Sequence, residues 1–362
     1  MLRVCLVGLA AGGHSGVARY AAALTRSLDR VGDEFPDLSF GLLTTAQGAR
    51  QARVRSIEVE LVGGPFARAS AGPGRILTEQ VLARSAAGDL LHYFDLTGPL
   101  LAPRRRFVTT VHDASVRHGF EGLRVLHQRL LQPWAVRHAT AAVAVSAFAK
   151  EEAVRVFGAD ADRIHVIHSG PGLVAGGDGT AAAHDTPYLL YVGNVSAHKN
   201  LPFLVRAFEA AGVDGRLLLV GRWGHRFEEV RRAVDASPAR GRIEIRRDVS
   251  DRDVDRLYRG ASVLVIPSRY EGFGFTALEA MARGCPVLAS DIPALREVSG
   301  DGAWLLPVDD QAAWAGAIQR ALADPGLRED LRSRGRETVR RYSWDETARR
   351  VCELFLRVGA AA

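Results

Sequence analysis

The chain has 362 residues, of which 47% are hydrophobic and 24% are charged, and its formal net charge is +6. This length and composition predict about two globular domains with large apolar cores, and no apolar run reaches membrane-spanning length. The positive charge suits an anionic ligand or a membrane surface, whereas the lack of interleaved aromatic and basic residues argues against nucleic acid as a partner.

The first half of the chain alternates short apolar segments with helical periodicity. Residues 2–7 are predicted as a buried strand, followed by a glycine-rich loop up to Gly16 and a helix from Val17. The loop lacks Gly-x-Gly-x-x-Gly spacing, so a dinucleotide site is not predicted. Further strands are predicted at residues 38–43, 57–62, 90–94, 107–111, 141–145 and 164–167, with helices at 75–85, 123–138 and 147–156. This alternation predicts a mostly parallel sheet with helices on both faces.

The predicted strand at 107–111 ends in His112 and Asp113. In an open parallel sheet, ligands collect beyond the carboxyl ends of the strands. A neutral imidazole can donate or accept a hydrogen bond, and a carboxylate can bind a hydroxyl of an acceptor. The pair is therefore a candidate substrate contact, and a purely structural role for His112 is the alternative.

The second half repeats the alternation after a Gly/Ala/Asp-rich stretch that is predicted to be an interdomain linker. A strand at 188–192 is followed by a polar loop that carries Lys199, whose mobile ammonium is a candidate partner for an anionic ligand. Strands are also predicted at 216–220, 243–245, 262–266 and 286–290, with helices at 226–236 and 248–258. Ser250 is a predicted N-cap, and Asp253 is predicted to complete a capping box.

The segment PSRYEGFGFTALEAM, residues 267–281, predicts a strand end, a glycine turn and a helix. Such a turn presents backbone N–H groups at the positive end of a helix, which favours phosphate binding. Glu271 and Glu279 lie eight residues apart on either side of it. Because a carboxylate is repelled by phosphate, hydroxyl groups of a sugar or ribose are the expected partners. An ordinary crossover turn is the alternative.

Near the end of the chain, the string Arg296-Glu297-Val298 resembles a short turn of a known protein family, and that resemblance implies a packing turn here. A terminal helix is predicted as far as residue 358, with Ser343 as its cap. Its apolar face comprises Ala348, Val351, Leu354 and Phe355. From periodicity alone, this helix could pack on either half.

These motifs together resemble the retaining glycosyltransferases of family 4. The resemblance rests on the glutamate pair, the Lys199 loop, the His112-Asp113 step and the first glycine loop. It covers nearly the whole chain and is weakest between residues 30 and 90. It implies an α/β protein of GT-B architecture, with two Rossmann-like domains facing across a cleft. The implied divisions are an acceptor-side domain at 1–171, a linker at 172–186, a nucleotide-sugar domain at 187–341, and a helix at 342–362 that returns to the first domain.

The resemblance also implies roles for individual residues. Glu271 would bind hydroxyls of the donor sugar, Glu279 would bind the ribose, and backbone groups near Val249 would contact the base. His112 would lie at the reacting centre, and Asp113 would bind the acceptor. Lys199 and backbone amides would hold the diphosphate; the residues supplying amides are Gly16, Gly272, Phe273, Gly274, Phe275 and Thr276. The chain departs from the family at His198, which occupies a diphosphate-side position where arginine is common. One permanent charge is therefore lost or becomes pH-dependent.

The implied reaction moves a hexose, with mannose favoured by the carboxyl-terminal motif, from a nucleoside diphosphate sugar to a hydroxyl on a glycan, lipid-linked saccharide or natural product. No Asp-x-Asp string is present, and the three cysteines are dispersed, so neither a metal nor a cofactor is expected. Such cysteine usage predicts a cytoplasmic protein, either free or peripheral at the inner membrane face. The Ala/Arg/Gly-rich composition suggests a bacterial source. The alternatives are an epimerase or hydrolase on the same fold, and a non-catalytic nucleotide-sugar-binding subunit.

Overall fold

The computed structural model of the chain divides into two units, Met1–Gly172 with Tyr342–Ala362, and Leu173–Arg341. It describes residues 1–9, 15–62, 78–82, 84, 86–102, 104–114, 130–172, 180–182, 186–222 and 227–360. Much of the predicted linker at 172–186 therefore lies outside the described residues. So do Gly12 and Gly13 of the first glycine loop and residues 123–129 of a predicted helix.

The first unit is built on a seven-stranded, fully parallel sheet. Its strands are β1 (Leu2–Val7), β2 (Leu38–Thr44), β3 (Glu58–Leu61), β4 (Leu90–Tyr93), β5 (Phe107–Val111), β6 (Ala141–Ala144) and β7 (Ile164–Val166). The spatial order is β3-β2-β1-β4-β5-β6-β7, so the winding direction reverses between β1 and β4. Ligands of open α/β sheets bind beyond the strand ends at such a reversal.

Within its described residues, the first unit has four α-helices with defined bounds before the terminal one, and two of them begin directly after a serine that caps them. The four helices are α1 (Gly16–Val31), α2 (Ala46–Ala52), α3 (Gln132–His138) and α4 (Ala147–Phe157). The hydroxyl of Ser15 accepts a hydrogen bond from the amide of Ala18, and that of Ser146 from Ala149, which satisfies donors otherwise left open at a helix start. Of the predicted helix at 75–85, residues 78–82 are helical.

The second unit has a six-stranded parallel sheet with the same kind of reversal. Its strands are β8 (Tyr188–Val192), β9 (Arg216–Gly221), β10 (Ile243–Arg247), β11 (Val263–Ile266), β12 (Val287–Ser290) and β13 (Trp304–Leu306). The order is β10-β9-β8-β11-β12-β13, so β8 and β11 flank the reversal. Both strands are buried along their whole length, as expected of a sheet covered on both faces.

The helices of the second unit confirm one capping prediction and correct one turn. They are α5 (Leu201–Ala211), α6 (Phe227–Ala236), α7 (Asp251–Gly260), α8 (Phe275–Met281), α9 (Pro293–Ser299), α10 (Gln311–Ala323) and α11 (Pro325–Val339). Ser250 caps α7 by accepting from the amide of Asp253, whose carboxylate accepts from the Ser250 hydroxyl. The turn predicted at 296–298 is wrong, because those residues lie within α9. Proline favours the first helical turn, and Pro293 begins this helix.

The terminal helix, α12 (Trp344–Ala360), belongs to the first unit and packs against α1. Its predicted apolar face is buried, and Arg349 forms an ion pair with Glu34 at 2.7 Å. The indole N–H of Trp344 donates to the carbonyl of Pro171 at 2.7 Å. The expectation that the last helix returns to the first domain is therefore confirmed. None of the helices in the described ranges is both long enough and apolar enough to cross a membrane.

Candidate functional site

Two of the predicted site residues meet at the reversal point of the second sheet. The loop after β8 carries Lys199 at the end of a short 3₁₀ turn, and the loop after β11 carries Glu271. The Lys199 ammonium donates to both carboxylate oxygens of Glu271, at 2.6 and 2.7 Å. The two side chains are only 17% and 13% exposed, so they form a largely desolvated ion pair.

Glu271 is held in its charged form. Burial opposes ionisation, but the charge and hydrogen bonds of Lys199, together with the hydroxyl of Ser268 at 2.7 Å, outweigh it and lower the pKa of Glu271 below its usual range. At neutral pH the side chain is therefore a hydrogen-bond acceptor only. Such a group suits hydroxyl partners, as the sequence indicated.

The loops that carry Lys199 and Glu271 are also tied through their backbones. The amide of Arg269 donates to the carbonyl of His198 at 2.7 Å. The His198 ring lies 3.2 Å from the hydroxyl of Ser196 through Nε2 and is edge-on to Tyr270. The structure therefore places His198 beside the ion pair, and its positive form would help to lower the pKa of Glu271 further.

The predicted glycine turn leads directly from Glu271 into α8. Gly274 occupies the N-cap position with φ 107° and has no side chain with which to cap the helix. A side chain at this φ would be strained, which explains glycine at this point. Phe273 is buried and contacts Phe275 across the turn, with ring centroids 5.0 Å apart. The strand–turn–helix prediction is confirmed, and contact of these amides, including that of Thr276, with phosphate stays a prediction.

Glu279 lies further along α8 and is fully buried. The hydroxyl of Tyr258 on α7 donates to Glu279 Oε2 at 2.9 Å. One turn on, Arg283 forms a buried ion pair with Asp255 at 2.7 Å. Glu279 is thus linked to a polar network inside the unit, and its contact with ribose stays a prediction. So does the contact of the base with Val249, which is partly exposed between β10 and α7.

In the first unit, His112 directly follows β5. Its Nε2 lies 2.8 Å from the carbonyl oxygen of Phe94, and its ring is edge-on to Tyr20 with centroids 4.7 Å apart. Because a carbonyl only accepts, Nε2 must carry the proton, and Nδ1 of the neutral ring is then an acceptor. Asp113 follows at a partly exposed position, and Gly16 is the first residue of α1.

The structure adds residues that the sequence did not single out. Ser268 orients Glu271, and Tyr258 contacts Glu279. Ser268 carried a weak signal, since it lies three residues before Glu271, whereas nothing local connects Tyr258 to a residue 21 positions later. The three cysteines are buried and unpaired, and burial raises the pKa of Cys285 to about 12. Within the described ranges, no group of three or more His, Cys, Asp or Glu side chains could hold a metal.

Two doubly wound parallel-sheet units, the first completed by the terminal helix, define the GT-B class of fold. A solved structure of HepE from Anabaena, in complex with UDP and glucose, is similar over 99% of this chain and 100% of that one. The TM-score is 0.74 at 17% sequence identity, so this likeness shows the fold alone.

Sequence comparison identifies the family. The model described as "Glycosyltransferase Family 4" matches residues 14–171, and "Glycosyl transferases group 1" matches residues 178–338. O-antigen chain mannosyltransferase B from Escherichia coli is 30% identical over 262 residues, covering 66% of this chain and 67% of that protein. The D-inositol 3-phosphate glycosyltransferase of Xylanimonas cellulosilytica is 34% identical over 224 residues, covering 57% and 54%.

The matches thus span about half to two thirds of the length of these curated relatives. The chain belongs to the family 4 glycosyltransferases, as its motifs indicated.

Proposed function

We propose that this protein transfers a hexose from a nucleoside diphosphate sugar to an acceptor hydroxyl, with retention of anomeric configuration and without a metal. The observation that carries the proposal is the Lys199–Glu271 ion pair at the reversal point of the second sheet, beside the start of α8. A cation, a carboxylate and a helix start adjoin one another there. These groups match the diphosphate and the hydroxyls of such a donor.

The presence of lysine at position 199 supports an exchange in which its ammonium leaves Glu271 and pairs with the diphosphate. Of the 47 lysine and arginine residues in the chain, only Lys150 and Lys199 are lysines. An ammonium on a flexible stem can turn from one oxygen to another, whereas the planar guanidinium of arginine pairs with a carboxylate in a fixed two-pronged geometry. On donor binding, Lys199 would turn towards the diphosphate, and Glu271 would accept hydrogen bonds from the sugar.

Charge that develops on the leaving diphosphate needs fixed donors. The amides of the turn between Gly272 and Thr276, with the positive end of α8, would supply fixed donors, and Lys199 would add a mobile positive charge. His198 would contribute when protonated. In the first unit, the amide of Gly16 would contact the diphosphate. Glu279 and Val249 would hold ribose and base.

The acceptor side is assigned to His112 and Asp113. The proton on Nε2 of His112 is engaged by the Phe94 carbonyl, so Nδ1 of the neutral ring is suited to accept a hydrogen bond from a substrate hydroxyl. Asp113 would hold an acceptor hydroxyl. The names of the two relatives suggest mannosyl transfer or an inositol phosphate acceptor, and UDP in the HepE structure suggests a uridine donor as the first to test. We propose that the protein acts in the cytoplasm, free or at the inner membrane face, as its dispersed cysteines suggested.

The first experiment is a thermal-shift panel of UDP, GDP, dTDP and ADP, each with magnesium and with EDTA. A ligand that binds only the folded protein raises its melting temperature, so one nucleotide should do so in both buffers. No shift with any nucleotide would contradict the donor site, and a shift only with magnesium would contradict metal independence. The nucleotide that binds then selects the donor sugars for an activity assay.

In that assay, Glu271→Ala should abolish transfer, whereas Glu244→Ala should not, because Glu244 lies on β10 and pairs with Arg246. Full turnover by Glu271→Ala would contradict the role of this carboxylate. Release of nucleoside diphosphate without an acceptor would favour the hydrolase alternative. Conversion of the donor into a different nucleotide sugar would favour the epimerase alternative. Binding with no release under any condition would favour the non-catalytic subunit.

A further inference from the structure

A third loop of the second unit reaches the two loops that carry Lys199 and Glu271. Asp309 follows β13, and its Oδ1 accepts from the side-chain amide of Asn200 at 2.8 Å. The guanidinium of Arg269 donates to both oxygens of the same carboxylate, at 2.8 and 3.0 Å. One carboxylate therefore joins the loops after β8, β11 and β13.

The partners of Asp309 flank the ion pair in sequence. Asn200 directly follows Lys199, and Arg269 lies two residues before Glu271. The amide of Arg269 already holds the carbonyl of His198, and neighbouring Ser268 donates to Glu271. A shift of either partner would therefore change the distance between the ammonium of Lys199 and the carboxylate of Glu271.

The backbone at this junction is held in an unfavourable conformation. Four described non-glycine residues have positive φ, and two of them are Asn200 at 59° and Asp309 at 63°, which are hydrogen-bonded to each other. Asparagine and aspartate tolerate this left-handed region better than other side chains, but at some cost relative to ordinary conformations. Such strain persists where the surrounding contacts impose it, and it is concentrated at functional sites.

We propose that Asp309 is a positioning residue that fixes the spacing of Lys199 and Glu271 and thereby sets the affinity for the nucleoside diphosphate. It touches neither member of the pair in the contacts described above and acts through Asn200 and Arg269. The effect of Asp309 on the ion pair requires no ligand, whereas its effect on affinity rests on the proposed function.

The two-lysine composition provides a direct measurement. Protein labelled with ¹³C and ¹⁵N in lysine should give two side-chain signals, of which that of Lys150, on α4 in the first unit, is an internal reference. A Lys150→Arg variant assigns them. The Lys199 signal should report its contact with Glu271 in the absence of any substrate.

The informative substitution is Asp309→Gly, because glycine adopts a φ of 63° without strain, so the side chain and its carboxylate are removed without adding backbone strain. We expect the Lys199 signal to move towards that of a free lysine. Affinity for the tightest-binding of UDP, GDP, dTDP and ADP should fall about tenfold, or about 1.4 kcal/mol. Asp309→Asn keeps an oxygen that can accept from Asn200. It should therefore retain part of the wild-type position of the Lys199 signal and part of the nucleotide affinity. Asp330→Ala is the control, since Asp330 pairs with Arg334 on the surface of α11.

An unchanged Lys199 signal and unchanged nucleotide affinity in folded Asp309→Gly would overturn the proposal. Equal effects of Asp309→Gly and Asp330→Ala would also overturn it, because they would indicate general destabilisation. If wild type binds none of the four nucleotides, the proposed function fails while the Lys199 signal still decides the positioning role. Should Asp309→Gly not fold, the same two measurements on Asp309→Asn decide it.

Discussion

Removing the charge of Lys199 tests the electrostatics of the site most directly. The variant Lys199→Met keeps much of the side-chain length but leaves the Glu271 carboxylate, 13% exposed, with Ser268 as its remaining side-chain partner. Breaking one side of a buried ion pair costs about 3–5 kcal/mol. Because Ser268 remains and a little solvent reaches the carboxylate, we expect the lower end, about 3 kcal/mol, at pH 7.

The pH dependence of this loss follows from the sign of the pKa shift. In wild type the pKa of Glu271 is lowered, so the pair stabilises the fold above the ordinary glutamate pKa of about 4.3, and this contribution is lost as the pH falls through the lowered value. In Lys199→Met, burial dominates and raises the pKa, so acid neutralises the stranded carboxylate. The stability difference between the two proteins should therefore shrink as the pH falls from 7 to 4.

Scanning calorimetry at pH 4, 5.5 and 7 measures this. For a unit of about 170 residues, a loss of about 3 kcal/mol lowers the melting temperature by roughly 6–12 °C. Lys150→Met is the matched control and should change little. Adding Glu271→Gln to Lys199→Met should recover most of the loss, because no unpaired charge remains. A pH-independent loss, or none at pH 7, would refute this account of the ion pair.

Two further predictions concern the fold around the site. Arg283→Met should destabilise the second unit by about 3 kcal/mol in urea unfolding, because it removes the buried partner of Asp255 and leaves that carboxylate with the more exposed Arg259. A loss below about 1 kcal/mol would contradict this prediction. Gly274→Ala should cost about 1–3 kcal/mol because of its φ of 107°, whereas Gly316→Ala, in open space on α10, should stabilise slightly. Equal effects of the two glycine substitutions, read from the same urea curves, would contradict the backbone argument.

Local sequence signals predicted the elements that carry the site. The segment at 267–281 contains its own strand end, glycine turn and helix start, and the structure reproduces all three. Ser250 with Asp253 likewise predicted where α7 begins. These predictions succeed because the determining interactions lie within a few residues. The turn expected at 296–298 is wrong because it rested on the resemblance of three residues, whereas Pro293, just before them, starts the helix that forms there.

Contacts between distant residues were beyond local patterns. Lys199 and Glu271 are 72 residues apart, and Asn200 and Asp309 are 109 apart. Knowledge that β8 and β11 are neighbours would have been enough to predict the first pair, because the loops after neighbouring parallel strands leave the same edge of the sheet. The link through Asp309 could not, because β12 lies between β11 and β13 and nothing in the sequence near Asp309 points to a partner.

The resting charges of the site have a consequence for donor affinity. Lys199 is compensated by Glu271, and Arg269 by Asp309, so each cation described here already has an anionic partner. Under the proposed function, a diphosphate does not meet an empty cation but displaces Glu271 from Lys199. Binding is then strongest when the sugar hydroxyls satisfy the released carboxylate, because a buried carboxylate that has lost its cation is destabilising. A nucleoside diphosphate without its sugar would leave Glu271 with Ser268 but no sugar hydroxyl, so it should bind, though less tightly than the intact donor.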